Sequence, residues 1–206
     1  MKISPDTIKN ILSNEYYLLV GFIIVWVAYI KNKHFGLYIC FAAFVSLFYL
    51  KSNDNYSWKT MLKFLIIIIS SIVIFLTTTK KIKPYLFNNT ITNLVKLNLI
   101  CLIFSINDVL VWFGLIFIVL TMPTFIYRNN NIQTKSKLIN TNIWVIIQTI
   151  VLYIYYTNNI YFYNSKNYYF VLLAILLPLL IQFYTNKWLE SRALFLCFIT
   201  IIDSYN

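Results

Sequence analysis

The sequence predicts an all-α fold: a polytopic transmembrane helix bundle of about eight helices, with residues 1–206 forming a single transmembrane domain. Three observations carry that expectation. Of 206 residues, 60% are apolar and only 11% charged, and the mean hydropathy is +0.73, well outside the range of soluble domains. The apolar residues fall into long runs of Ile, Leu, Phe and Tyr, broken by short Asn- and Lys-rich stretches. The breaks are too short to hold a soluble domain, and neither a repeat nor a Gly/Ser linker divides the chain.

Spans are expected near Tyr16 to Ile30, Phe35 to Leu50, Met61 to Thr79, Ile91 to Ile106, Asp108 to Tyr127, Asn142 to Tyr156, Tyr168 to Tyr184 and Leu189 to Ile202. Several are shorter than the roughly 20 residues that cross a bilayer untilted. Tyr16, Tyr17, Trp58, Tyr127, Tyr184 and Trp188 stand at their ends, where aromatic rings anchor helices at the headgroup level. The first run is expected to be retained, because Lys2 and Lys9 are mixed with Asp6 and Glu15 and no small-residue cleavage site follows. The apolar stretch from Ile91 to Tyr127 is too long for one span. Ser105, Asn107 and Asp108 are the polar group able to turn it, so a tight helical hairpin is expected there, with Asp108 as N-cap of the fifth helix. The longest polar connection runs from Asn129 to Asn142.

Basic residues orient the bundle. Alternating the loops gathers Lys31, Lys33, Lys80, Lys81, Lys83, Arg128, Lys135, Lys137, Lys187 and Arg192 on one side, against Glu190 alone. The other side holds Lys2, Lys9, Lys51, Lys59, Lys63 and Lys166 with Asp6, Glu15, Asp54 and Asp108. The positive-inside rule therefore puts the amino terminus outside. The formal charge of +11 is topological on this reading, and no nucleic acid partner is expected.

Soluble enzyme chemistry finds no residues here. Only Gly21, Gly36 and Gly114 exist, so no glycine-rich phosphate loop is present, and the single histidine, His34, pairs with no nucleophile. No catalytic site, cofactor or metal site is expected; Cys40, Cys101 and Cys197 lie in apolar runs as structural thiols. What remains are polar groups at membrane depth, which are functional candidates by default. Lys96, Asp108 and Gln148 are candidates for a proton path. The bland expectations are that Lys96 snorkels to the surface, Asp108 caps a helix, and Gln148 and Gln182 hydrogen-bond between helices. Pro123 and Pro178 are expected to interrupt the fifth and seventh helices, freeing backbone carbonyls. Lys187, Glu190 and Arg192 form an ion cluster at the start of the last helix, read as interfacial or as a contact to a neighbouring subunit.

The run from Leu99 to Ile116, LICLIFSINDVLVWFGLI, followed by an apolar helix, a basic-polar loop and Ile143-Trp144-Val145, resembles subunit 2 of respiratory complex I, NADH:ubiquinone oxidoreductase, one of the antiporter-like proton-pumping subunits. The recognisable motif covers about 45 residues. In that family three helices precede the hairpin and the amino terminus faces away from the matrix. The chain departs from it in carrying Ile116 where the family has a buried Glu. It also lacks a Lys near Asn140 or Thr141, and any charge in the span Tyr168 to Tyr184. Eight helices match only the front part of a subunit that has about fourteen.

The resemblance implies a mainly structural membrane-arm subunit of the mitochondrial inner membrane, with a degraded proton-translocation relay, since an apolar side chain at the Glu position cannot exchange a proton. Its expected partners are phospholipids and other membrane-arm subunits of a large respiratory complex, with a second chain as a source of the missing helices. The amino terminus would face the intermembrane space. An AT-rich coding bias, visible in the Ile, Lys, Asn and Tyr content, fits an organellar genome. Two alternatives stand beside it: a small stand-alone transporter or channel, supported by Pro123 and Pro178, and a membrane subunit of another respiratory assembly such as ATP synthase.

Overall fold

The computed structural model describes residues 15–52, 58–104, 108–128, 131–135, 138–158 and 168–203. Among them are eight helices and one β-hairpin: α1 (Glu15–Lys31), α2 (Phe35–Ser52), α3 (Trp58–Thr78), α4 (Pro84–Ile103), α5 (Val109–Thr121), β1 (Thr124–Arg128), β2 (Asn131–Lys135), α6 (Thr141–Asn158), α7 (Tyr168–Thr185) and α8 (Trp188–Asp203). The chain is mostly helical, as expected. Two helices, α3 and α4, are long and apolar enough to cross a membrane by length and composition.

Helices α2 to α7 pack each against the next, and α8 lies inside, in contact with α1, α2, α3 and α7. Its composition explains the place. Ser191, Ala193, Cys197 and Thr200 are all buried small residues that let neighbouring backbones approach. On α2, Gly36, Cys40 and Ala43 are all buried; Gly36 lies against Phe75 of α3, and the Cys40 and Cys197 sulfurs meet at 3.8 Å. Cys101 is half-buried.

Large apolar side chains fill the core, as Phe22, Phe64 and Ile68 do, and also face outward. Phe41 and Phe48 on α2, Ile24 on α1 and Leu120 on α5 are each at least 60% exposed, while Ser70, Ser71, Thr77, Gln148, Gln182 and Glu190 are buried. Hydroxyls on the helices donate to the carbonyl four residues back, as Ser70, Ser71, Thr77, Thr121 and Thr200 do. Each thereby satisfies its proton without leaving its own helix.

Three expectations about elements change. First, the fifth helix does not reach Tyr127. Pro123 does not interrupt it but ends it: the residue before a proline is pushed out of the helical region, and Met122 takes φ −57° and ψ 130°. Second, the stretch beyond is not an irregular loop. Residues 124–128 pair antiparallel with 131–135, from Thr124 opposite Lys135 to Arg128 opposite Asn131. Phe125 and Tyr127 point inward in strand alternation. The outer edge of β1 is held by α4, where Thr92 Oγ1 accepts from the Phe125 N–H at 3.1 Å and Asn88 Oδ1 from the Tyr127 N–H at 2.7 Å. Those two residues are four apart on one helix face. Third, α4 starts at Pro84, a favoured first-turn position, so Lys96 lies about three turns in rather than one and a half.

Candidate functional site

Four connections meet at one end of the bundle: α1–α2, α3–α4, the β-hairpin and α7–α8. Tyr29 from α1 packs edge-on against Phe75 of α3 at 5.3 Å, and Tyr127 of β1 edge-on against Phe87 of α4 at 6.2 Å. Phe125 of β1 stacks on Trp188 of α8 at 6.1 Å and 12°. Trp188 also meets Trp144 of α6 edge-on at 5.5 Å, and the Trp144 indole N–H donates to the Ile118 carbonyl at 3.0 Å. This aromatic layer closes the end from which Lys31, Lys80, Lys81, Lys83, Arg128 and Lys135 project, all exposed.

Beneath it lies Glu190, in the first turn of α8 and only 3% exposed. The Tyr29 hydroxyl, from 161 residues earlier in the chain, donates to its Oε1 at 3.2 Å. Lys33 Nζ sits 4.0 Å above the Tyr29 ring, in cation–π geometry. Lys33 Nζ and the Tyr127 hydroxyl are buried without hydrogen-bond partners. Burial pulls the Lys33 ammonium below the usual lysine range, with Lys187 working in the same direction and the Glu190 carboxylate against both. Burial, and then Glu190, raises the Tyr127 phenol. The cluster thus joins α1, the α1–α2 turn, β1 and α8 around one carboxylate.

The predicted trio of Lys187, Glu190 and Arg192 is therefore divided. Lys187 stays with Glu190, but Glu190 faces inward to Tyr29 rather than toward a neighbouring subunit. Arg192, two residues on, turns to a different place: a partly open cavity of about 70 Å³ between α3, α4, α6 and α8. Lys63, Ser70, Ser71, Asn98 and Gln148 supply its other polar walls. Lys63, counted above among the loop charges, is 5% exposed and lies within α3.

Gln182 meets its expectation. Its amide donates to Asn142 Oδ1 at 3.0 Å and its carbonyl accepts from the Trp188 N–H at 3.1 Å, tying α6, α7 and α8 together. Gln148 does not, since its Oε1 is buried without a partner. Asp108 caps α5 as expected, accepting from Leu110 N at 2.9 Å and Val111 N at 3.3 Å; Ser105 and Asn107 lie outside the described residues. Pro178 does not interrupt α7, which runs through it from Tyr168 to Thr185, and it borders a void of about 10 Å³ shared with Gln148 and Arg192. Lys96 is half-buried and lines neither cavity at Gln148.

Tyr29 and Lys33 were not singled out from the sequence as site residues. Their i, i+4 spacing at the end of an apolar helix was the available signal. No family model matches the chain, and neither a curated protein nor a solved structure is similar to it.

Proposed function

We propose that the chain is a polytopic protein of the mitochondrial inner membrane, a structural, non-redox subunit of the membrane arm of respiratory complex I with a degraded proton relay. The observation that carries the membrane reading is the large apolar area on the outside of the bundle. Phenylalanine, isoleucine and leucine are exposed over its outside, and the mostly apolar core also takes in hydroxyls, amides and a carboxylate, a surface that lipid rather than water favours. The described basic loops share one end, which the positive-inside rule assigns to the matrix, leaving the amino terminus on the intermembrane-space side.

A structural role is favoured over pumping by the positions that matter in the family. Ile116 packs half-buried against the core where the family carries its Glu, no lysine stands at Asn140 or Thr141, and α7 carries no charge. Glu190, the carboxylate that is buried, is tied to Tyr29 and flanked by Lys33 and Lys187, which suits it to pinning helices together.

A stand-alone transporter is the second reading, favoured by the cavity between α3, α4, α6 and α8 that reaches Gln148 and by the small void that Gln148 shares with Pro178. An ATP synthase subunit is the third, for which Arg192 supplies a half-buried arginine. Solubilisation in mild detergent followed by native electrophoresis decides among them. Migration with NADH dehydrogenase activity is expected; migration alone or with a rotary ATPase would refute the complex I reading. Within the assembled complex, Lys96→Met is expected to leave the protons moved per NADH unchanged, and a large loss with assembly intact would restore the relay.

A further inference from the structure

The apolar surface of the bundle is not equally tall all round. Helices α1 and α2 have 17 and 18 residues, about 26 and 27 Å at 1.5 Å per residue, close to the roughly 30 Å of a bilayer core. Around the bundle α5 stands three helices away from them in either direction, through α3 and α4 or through α7 and α6. It has 13 residues, about 20 Å. Val109, Phe113, Phe117 and Leu120 are exposed along its outward face.

Polar groups close that face at both ends. At one end the Asp108 carboxylate caps the helix. At the other, Pro123 stops it and the β-hairpin takes over, at a depth that α4 measures. The Phe125 N–H bonds to Thr92, which lies about 12 Å along α4 from Pro84. From Thr92 to its C-cap Phe104, α4 runs on for about 18 Å, in agreement with the length of α5. Thr124 and its partner Lys135 form the deep end of the two strands, and Gln133, Thr134 and Lys135 are exposed. A lysine stem can snorkel back to the surface. The outer edge of β2 cannot: it pairs with no strand, and an open sheet edge does not stand in hydrocarbon.

We propose that α5 and the β-hairpin form a bilayer-thinning face, where phospholipids span about 20 Å while those beside α1 and α2 keep nearly their ordinary depth. Phosphate headgroups are the occupants that suit the step, because both charged residues of the hairpin strands, Arg128 and Lys135, are basic and exposed. The proposal rests on the membrane reading but not on membership of a respiratory complex.

The test uses the full chain in dioleoylphosphatidylcholine liposomes, with Cys101→Ala to remove the half-buried thiol. Spin labels are placed singly through Val109→Cys, Phe113→Cys, Phe117→Cys and Leu120→Cys. Phe44→Cys, exposed near the middle of α2, is the reference. Collision with oxygen and with a water-soluble nickel chelate gives the depth of each label below the hydrocarbon border. The Val109 and Leu120 positions are expected within about 3 Å of the border, Phe113 and Phe117 at about 7 Å, and Phe44 at about 13 Å. Lengthening the acyl chains to 22 carbons is expected to move the α5 labels by less than about 2 Å, because the hairpin fixes the border there. Leu110→Cys, exposed beside Val109, repeats the measurement if Val109→Cys does not fold.

A label at Phe113 or Phe117 as deep as the one at Phe44 overturns the thinning. So do α5 depths that grow with acyl-chain length. If the protein does not float with the liposomes, or the Phe44 label lies in water, it is the membrane reading that falls, and the proposal with it.

Discussion

Replacing Gly36 with alanine is expected to destabilise the bundle, and the three glycines together make a graded test of how tightly it packs. A Cβ on Gly36 would stand 2.6 Å from Phe75 Cδ1 and 2.7 Å from its Cγ. Phe75 is fully buried, and its ring is held on the other side by Tyr29 at 5.3 Å, so it cannot swing clear. Overpacking of this kind costs about 1–3 kcal/mol, and the upper part of that range applies because the base of the ring is struck. Against it stands a helix-propensity gain of at most about 1 kcal/mol. The net loss is about 2 kcal/mol, or about 4–8 °C in melting temperature for a chain of this size. A Cβ on Gly114 meets Val151 Cγ2 at 3.0 Å and Cγ1 at 3.2 Å, a smaller conflict that the propensity gain offsets. On Gly21 it meets the far end of the half-buried Phe198 ring at 3.1 Å, which can turn away. The expected order of melting temperature in detergent, followed by the fluorescence of the five tryptophans, is Gly21→Ala at or above wild type, Gly114→Ala near it and Gly36→Ala well below. A Gly36→Ala protein as stable as wild type would refute the packing assigned to Phe75.

Glu190→Gln keeps a partner for Tyr29 but removes the charge facing Lys33 and Lys187, and a loss of about 1–2 kcal/mol is expected from leaving two half-buried cations uncompensated. Adding Lys33→Met should recover part of that loss in a double-mutant cycle, and strict additivity would show that Lys33 and Glu190 are not coupled. Lys33 titrates below its ordinary value of 10.5 in the fold, so the native state disfavours its charged form. Stability should therefore rise with pH as Lys33 deprotonates, up to about pH 10, and the rise should vanish in Lys33→Met. Above pH 10 the raised Tyr127 phenol acts in the opposite sense, because the unfolded chain loses its proton first. Thr92→Val removes the acceptor for the buried Phe125 N–H and is expected to cost about 1–3 kcal/mol. Hydrogen exchange should then quicken at Phe125 while α1 and α2 are unchanged; unchanged exchange at Phe125 would show that α4 does not hold the hairpin.

Much of the candidate site was half-legible. Glu190 and Lys187 were picked out because they stand with Arg192 as a close-spaced ion cluster at the start of the last helix, yet nothing local pointed to Tyr29 as the acceptor's partner. Gln148 was noticed as a polar group in the middle of an apolar run. Lys63 was misread as a loop charge because five residues of α3 precede it and include Lys59 and Trp58, which look like a headgroup border. The hairpin left a trace in the alternation of Phe125 and Tyr127 and in the paired Asn129 and Asn130 that follow. The preceding apolar helix masked it.

By itself the sequence determined the order of the helices among the described residues, the Asp108 cap and the separation of basic ends from apolar spans. These are local properties: each depends on composition within a few residues. Only the tertiary structure decided that α8 lies inside, that Glu190 reaches Tyr29, that Arg192 and Lys63 border one cavity, and that Pro123 gives way to a hairpin held by Asn88 and Thr92. The physical reason is that these helices are apolar nearly all round. A helix in water announces its buried face by hydrophobic periodicity; here that signal is faint, and the inward face is set by where small residues and hydrogen-bonding groups find one another across the bundle.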